Sequence, residues 1–388
     1  MLAGRSVTVL GAGVAGLAVA QALALHGARV RLLEQAPAIR EVGAGLQISP
    51  NGMAVLSALG LAGAVQADAT AGEAVELVDG ETGAPVTRID LLAEAPRGDF
   101  AFAHRADLIA ALEAGARAAG VETALGVRAT AVNLDGPHPV VETTGGAEPC
   151  ALLIGADGLH SVVRAALNGS AAPFFTGQVA WRATLPAEGP IAPVARVYLG
   201  PGRHLVTYPL RGGRLRNIVA VEERARWAEE SWSLTDDPLA MRIAFENFLP
   251  EVRGWLDRIE RPSLWGLFRH PVAACWQGQG VAILGDAAHP TLPFLAQGAN
   301  MALEDAWVLA DCLSRLPEAE ALAAYQAARA PRVARIVAAA NANARNYHLS
   351  GLGRDLAHAA LRIAGRVAPR AAAARFRWLY GHDVTRRE

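Results

Sequence analysis

The chain has 388 residues, 52% hydrophobic and 19% charged, enough for a buried core and for more than one folding unit. Its 36 basic residues, all arginine, balance 37 acidic ones to a net charge of −1, which gives no electrostatic reason to expect nucleic acid or an anionic membrane as partner. The lack of lysine excludes Schiff-base and P-loop lysine chemistry, and three scattered cysteines (Cys150, Cys275, Cys312) without a CxxC pair argue against structural zinc and fit a reducing cytoplasm.

The first 35 residues predict a βαβ unit. SVTVLGAG reads as a buried strand entering a glycine turn, VAGLAVAQALALHG as a helix stopped at Gly27, and ARVRLLEQ as a strand ending at Glu34. The apolar stretch 6–33 is not read as a signal peptide. It has no basic leader beyond Arg5, and glycines, Gln21, His26 and Arg29 interrupt it. Its helical part would be roughly 20 Å long, short of a ~30 Å bilayer core, so a soluble protein is expected. Glycine-rich EVGAGLQISPNG (41–52) reads as loop and MAVLSALG as a short helix. Residues 73–97 read as strands and turns, and 104–120 as a helix. GVETALGVRATAVNL then reads as a strand pair and PCALLIGADG as another buried strand.

From about 176 to 268 the character changes. WRATLP, ARVYLG, RHLVTYPL and RLRNIVAVEE predict an antiparallel sheet separate from the parallel core. Residues 238–258 read as helical. GQGVAILGDAAHP returns to strand-then-loop, and two long amphipathic helices come after it, the first starting at Met301. In the arginine-rich tail, Leu361, Ile363, Phe376, Trp378 and Leu379 recur at helical spacing and predict a helix packed on the body. The expected class is α/β. A Rossmann-like dinucleotide-binding domain with a parallel sheet comprises 1–72, 98–175 and 270–350. A β-rich substrate domain is inserted as 73–97 and 176–269, and 351–388 form a C-terminal helical tail.

Three motifs carry chemistry. In Gly11-Ala12-Gly13-Val14-Ala15-Gly16 the first glycine makes the tight turn, the second lets backbone approach a pyrophosphate, and the third lets helix and strand pack. The helix N-terminus offers free N–H groups to phosphates, and Glu34 stands where a carboxylate accepts from a ribose hydroxyl. Gly155-Ala156-Asp157-Gly158 ends an apolar strand; taken alone it is equally a turn with an aspartate cap. In Leu284-Gly285-Asp286-Ala287-Ala288-His289-Pro290, Asp286 sits at a strand C-terminus, where α/β folds bind ligands, or it N-caps the adjoining turn. Gln297-Gly298-Ala299-Asn300 precede a helix whose N-terminus favours negative charge.

Together GAGVAG with Glu34, GADGLHSVVR and LGDAAHPTLPFLAQGANMALEDA resemble the single-component FAD aromatic hydroxylases of the para-hydroxybenzoate hydroxylase superfamily, across nearly the whole chain. EVGAGLQISPNG, HRADL, RHLVTYP, the Ser231-Trp232 pair and the ending WLYGHD are similar to the salicylate hydroxylase, 3-hydroxybenzoate 6-hydroxylase and 6-hydroxynicotinate 3-monooxygenase branch. The resemblance implies that NAD(P)H reduces bound FAD and that dioxygen then forms a C4a-hydroperoxide. This oxidant hydroxylates a small phenolic or hydroxypyridine carboxylic acid. NADH or NADPH visits transiently, without a second GxGxxG. GAGVAG would hold the pyrophosphate and Glu34 the ribose, with Gln35 and Val127 nearby in the cofactor site. Arg105 and Asp286 would serve the ribityl region, Gly298 and Ala299 the flavin ring, and Asp157 both FAD and NAD(P)H. No metal is needed. A cytoplasmic monomer or homodimer is expected.

Substrate candidates lie on the inserted sheet. His204, Val206 and Tyr208 share one strand face. His204 resembles the phenol-activating histidine of 3-hydroxybenzoate 6-hydroxylase and Tyr208 its substrate tyrosine; otherwise they are a surface histidine and a core-edge tyrosine. Gln47 stands where the hydroxynicotinate branch has histidine, so that branch's base does not carry over; Gln47 itself either bonds flavin or substrate in the cofactor site or is a loop glutamine. Gln297 either reaches the substrate or stays in the turn. His289 beside Pro290 suits structure better than catalysis, and Pro293 shapes the loop near the flavin. Arg182 faces a carboxylate or solvent. Two rival readings stand beside the hydroxylase: an FAD epoxidase or hydroxylase of a larger secondary metabolite, and a non-catalytic dinucleotide-fold carrier.

Overall fold

Strands rich in Val, Leu and Ile make a sheet covered on both faces, as parallel strands require. In the computed structural model, which describes residues 2–39, 45–170, 172–224 and 236–386, six strands line up side by side. Their order is Gln277–Gly278, Val281–Ile283, Leu153–Gly155, Ser6–Leu10, Arg29–Glu34 and Glu122–Leu125. All neighbours are parallel except the first pair. Helix Val14–Leu25 packs against Arg105–Ala118 and Gly298–Arg315 and is buried from Val14 to Leu23. Residues 41–44 of the glycine-rich loop and the Ser231-Trp232 pair lie outside the described residues.

The anticipated strand pair after the 104–120 helix does not form. Glu122–Leu125 extends the parallel sheet, while Ala129–Asn133 joins a separate meander with Val140–Thr143 and Gly146–Pro149. Gly126, at φ +71°, redirects the chain between them.

A second, seven-stranded sheet draws its strands from residues 74–90 and 174–269. It is mixed, not wholly antiparallel: Val194–Gly200 runs parallel to Ala74–Asp79, which arrives from earlier in the chain as half of a hairpin. Side chains alternate across it. Trp181, Tyr198, Leu205, Ile218 and Leu264 face helices Pro238–Ala244 and Pro250–Asp257 and form a second core. The opposite face looks toward the glycine turn.

The long helices are Gly298–Arg315, which starts one turn earlier than the sequence suggested, and Glu318–Tyr347. The tail departs further from expectation. Helix Gly351–Val367 docks through Arg354, whose guanidinium reaches Asp79 at 2.6 Å, and through buried His358. Its apolar side chains turn outward: Ile363 is 62% exposed and Leu361 also lies in the open, whereas Leu379 is buried. The carboxylates of Asp79 and Glu81 lie beneath this helix, and Coulomb pairing with Arg354 fixes which face packs.

Candidate active site

The glycine turn is built by close approach. Gly11 has φ +94°, and a Cβ there would lie 2.5 Å from the Ala156 carbonyl oxygen; one at Gly16 would lie 1.8 Å from that of Gly11. A Cβ on Gly13 would meet nothing within 4 Å, so the space before it is open to a ligand. Gly13 caps helix Val14–Leu25 without a side-chain hydrogen bond, and no acid occupies the first turn. The helix N–H groups and their partial positive charge are therefore available to an anion.

Glu34 closes the outer end of this turn. Its carboxylate accepts from the backbone N–H groups of Ala12 and Ala36, both at 2.8 Å. Val127 donates its N–H to the Glu34 carbonyl at 3.0 Å, and exposed Gln35 adjoins it. None of these three residues lines the cavity that faces the glycine turn.

A cavity of about 360 Å³ lies between the glycine turn and the seven-stranded sheet. On the nucleotide side it is lined by Gly13, Val14 and Ala15, by Gln47 and Arg105, and by Asp286, Gly298 and Ala299. Burial raises the Asp286 carboxyl above its ordinary range, opposed by His289, Arg105 and His270. Asp157 points elsewhere. It accepts from Ser161 Oγ and from the Val162 N–H at 2.8 Å, capping helix Val162–Asn168, while Ala156 and Gly158 reach the cavity. Arg164 ties this motif to the next by donating to the Ala287 and Ala288 carbonyls at 3.3 Å.

Gln297 does not line the cavity. Its Nε2 donates to Ser49 Oγ at 3.0 Å and its Oε1 accepts from Asn51 Nδ2 at 3.1 Å, in a buried network under the cavity. Both ends of the amide are spent, so it positions the loops. Asn300 does the same. Its Oδ1 accepts from the Ser49 N–H, and its Nδ2 donates to the Gln47 and Ala296 carbonyls, the latter residue at φ +53° after the Pro293–Leu295 turn. His289 is also structural: it bonds Asp305, which pairs with Arg329 at 2.8 Å, all three buried.

The sheet wall follows from register. Arg182 pairs with Val219, which pairs with Val206; His204 pairs with Val221 and Tyr208 with Asn217. His204, Val206, Tyr208 and Arg182 therefore present one face, and all line the cavity. Tyr208 stacks against Phe102 at 5.2 Å, and burial raises its phenol well above the usual range. Arg182 lies over the Trp265 ring at 4.0 Å; burial lowers its pKa to about 10. No carboxylate pairs with it and its Nε lacks a hydrogen-bond partner among the described residues. Burial, with His348 adding to it, holds His204 far below the ordinary imidazole pKa, so it is neutral at pH 7. His204 Nδ1 lies 2.7 Å from His348 Nε2, and Phe294 and Tyr347 flank the ring.

The FAD binding domain family matches residues 5–340. The chain belongs to this family. It is 38% identical over 356 residues to a 3-amino-4-hydroxybenzoate 2-monooxygenase of Streptomyces cremeus, covering 88% of both chains. It is 36% identical to a 3-hydroxybenzoate 6-hydroxylase of Polaromonas naphthalenivorans (strain CJ2), covering 97% of this chain and 96% of that one. A salicylate hydroxylase in complex with substrate shares the fold at TM-score 0.82 and 23% identity, over 99% of this chain and 97% of that one. The chain is thus an FAD-dependent monooxygenase of the aromatic hydroxylase type, a class that uses NAD(P)H and dioxygen. FAD suits the open space before Gly13, the uncapped helix and the acid at Asp286. No helix among the described residues is long and apolar enough to cross a membrane.

Sequence reasoning missed His348, Tyr347, Phe294, Trp265 and Glu223. The first two end a helix that reads as plain amphipathic surface. Trp265 was recoverable, because alternation from Leu264 places it on the cavity face.

Proposed function

We propose that this flavoprotein hydroxylates a small phenolic or hydroxypyridine carboxylic acid, with Arg182 holding the carboxylate and His204 facing the ring hydroxyl. Arg182 carries the reading. Its half-buried guanidinium has no carboxylate partner among the described residues, and an anionic ligand in the cavity would supply the missing counter-charge. Backbones two strand steps apart are separated by about 10 Å, room for one aromatic ring between Arg182 and the His204 strand. Val197, Val206 and Val219 supply an apolar floor for such a ring. The names of the relatives from Streptomyces and Polaromonas support an aminohydroxybenzoate or hydroxybenzoate.

Bound FAD, once reduced, supplies the activated oxygen. Arg182 orients the ring, and neutral His204 accepts the phenolic proton, because phenolate is the stronger nucleophile. In the cofactor site, Glu34 serves the ribose and Asp286 and Arg105 the ribityl chain. Asp157 holds the backbone of Ala156 and Gly158 in place.

A panel of salicylate, 3- and 4-hydroxybenzoate, 3-amino-4-hydroxybenzoate and hydroxynicotinates decides the matter by aromatic-stimulated NAD(P)H oxidation with product analysis. At least one acid should stimulate oxidation and emerge hydroxylated. Arg182→Gln should raise its KM tenfold or more, while leaving the KM of the matching uncharged amide unchanged. Equal losses for acid and amide would remove Arg182 from carboxylate binding. No hydroxylated acid would end the small-acid reading.

A further inference from the structure

We propose that His204, His348 and Glu223 form a proton relay that carries the substrate's phenolic proton from the cavity to solvent. The proposal rests on the phenolic-acid reading above and adds the route by which the proton leaves. His204 Nδ1 and His348 Nε2 are 2.7 Å apart, and His348 Nδ1 lies 2.9 Å from Glu223 Oε1. The two imidazoles are buried, while the Glu223 side chain is 55% exposed. The three side chains thus form a hydrogen-bonded chain from the cavity lining to the surface.

The carboxylate sets the direction. Ionised Glu223 only accepts, so His348 Nδ1 carries hydrogen and its Nε2 is a bare acceptor. His204 must then donate from Nδ1, which leaves its Nε2 unprotonated. The ring lines the cavity, so that nitrogen is the one left to meet a ligand. The phenol O–H passes its proton to His204 Nε2. His204 Nδ1–H passes to His348 Nε2, His348 Nδ1–H to Glu223 Oε1, and Glu223 releases the proton to water. The phenolate keeps its electron pair, nothing is oxidised, and the net change is one proton moved to solvent.

A relay, not a lone base, fits the electrostatics. Burial disfavours a charged imidazolium at both histidines, so a proton taken by His204 has no stable resting place inside. Among the described residues the charged groups acting on His348 are Glu223 and Arg203, and Tyr347 packs on the His204 ring. Gln178 Nε2 lies 3.1 Å from His348 Nδ1, so it donates to that nitrogen when it is bare; turned end for end, the amide places its oxygen there and accepts when the nitrogen carries hydrogen.

The test uses the oxidised holoenzyme without NAD(P)H, with 3-hydroxybenzoate and 3-amino-4-hydroxybenzoate as probes. Stopped-flow ultraviolet absorbance follows phenolate formation, and a pH dye follows proton release. The relay predicts that His348→Gln and Glu223→Gln slow both signals at least tenfold with FAD content intact. Glu223→Asp should retain most of the rate, and added imidazole should restore His348→Ala. Wild-type rates in His348→Gln overturn the relay, as does slowing that neither imidazole nor aspartate repairs. If neither probe perturbs the flavin spectrum of the wild-type protein, the phenolic-acid reading falls and takes the relay with it. If the probes bind and ionise equally fast in all variants, only the relay falls.

Discussion

His204 and His348 share a 2.7 Å hydrogen bond although 144 residues separate them. One belongs to a strand of the second sheet, the other caps the C-terminus of helix Glu318–Tyr347. Their pairing fixes how that helix end sits over the cavity. Both imidazoles have folded-state pKa values below the ordinary 6.5. An unfolded chain therefore binds more protons than the native one as pH falls below about 6.5. Stability should be at its full value above that pH and decline on acidification. Thermal melts of the holoenzyme from pH 7.5 to 5.0 should show this fall, and His204→Gln should make it shallower, with His104, His348, His358 and His382 supplying the rest. A wild-type curve that is level over the range would contradict the assignment.

Asp305 predicts a second, more acidic window. Burial opposes its charge, but His289 and Arg329 prevail and hold its carboxyl at about 2 against an ordinary 3.8. A depressed acid stabilises the fold above the unfolded value and loses that contribution as pH drops from about 4 to 2. The shift corresponds to about 2 kcal/mol. Asp305→Asn should cost more than this at pH 7, because Arg329 is left buried with one partner fewer. Urea midpoints at pH 7 and pH 3 measure the difference, which should shrink at the lower pH.

Glu34→Ala should release FAD. The substitution removes the acceptor for the Ala12 and Ala36 N–H groups as well as the carboxylate proposed for the ribose. Losing a charge-assisted hydrogen bond costs about 1.5–3 kcal/mol, so the FAD Kd should rise about 10- to 100-fold. Flavin fluorescence on dilution reads it directly. An unchanged Kd would remove Glu34 from the cofactor site.

Tyr208→Phe should slow hydroxylation while sparing reduction of the flavin. The ring remains stacked on Phe102, and the hydroxyl alone is lost from the cavity wall. A net hydrogen bond of about 1 kcal/mol corresponds to a fivefold effect. Separate stopped-flow measurements of the reductive and oxidative halves distinguish the two steps. Equal slowing of both would argue for a structural role.

What the sequence could determine by itself is local. A glycine turn between a strand and a helix depends on a few adjacent dihedrals, so Gly11, Gly13 and Gly16 announced their geometry without help. Strand alternation likewise placed His204 and Tyr208 on one face. The tertiary structure decided everything that rests on desolvation and on partners distant in the chain. It put Gln297 into a buried network and off the cavity wall. It set Arg182 in the cavity wall without a counter-ion among the described residues, turned Leu361 and Ile363 outward because Arg354 found Asp79, and brought His348 and Glu223 behind His204. Burial and hydrogen-bond satisfaction are properties of packed segments, and no pattern along one segment encodes which other segment will lie against it.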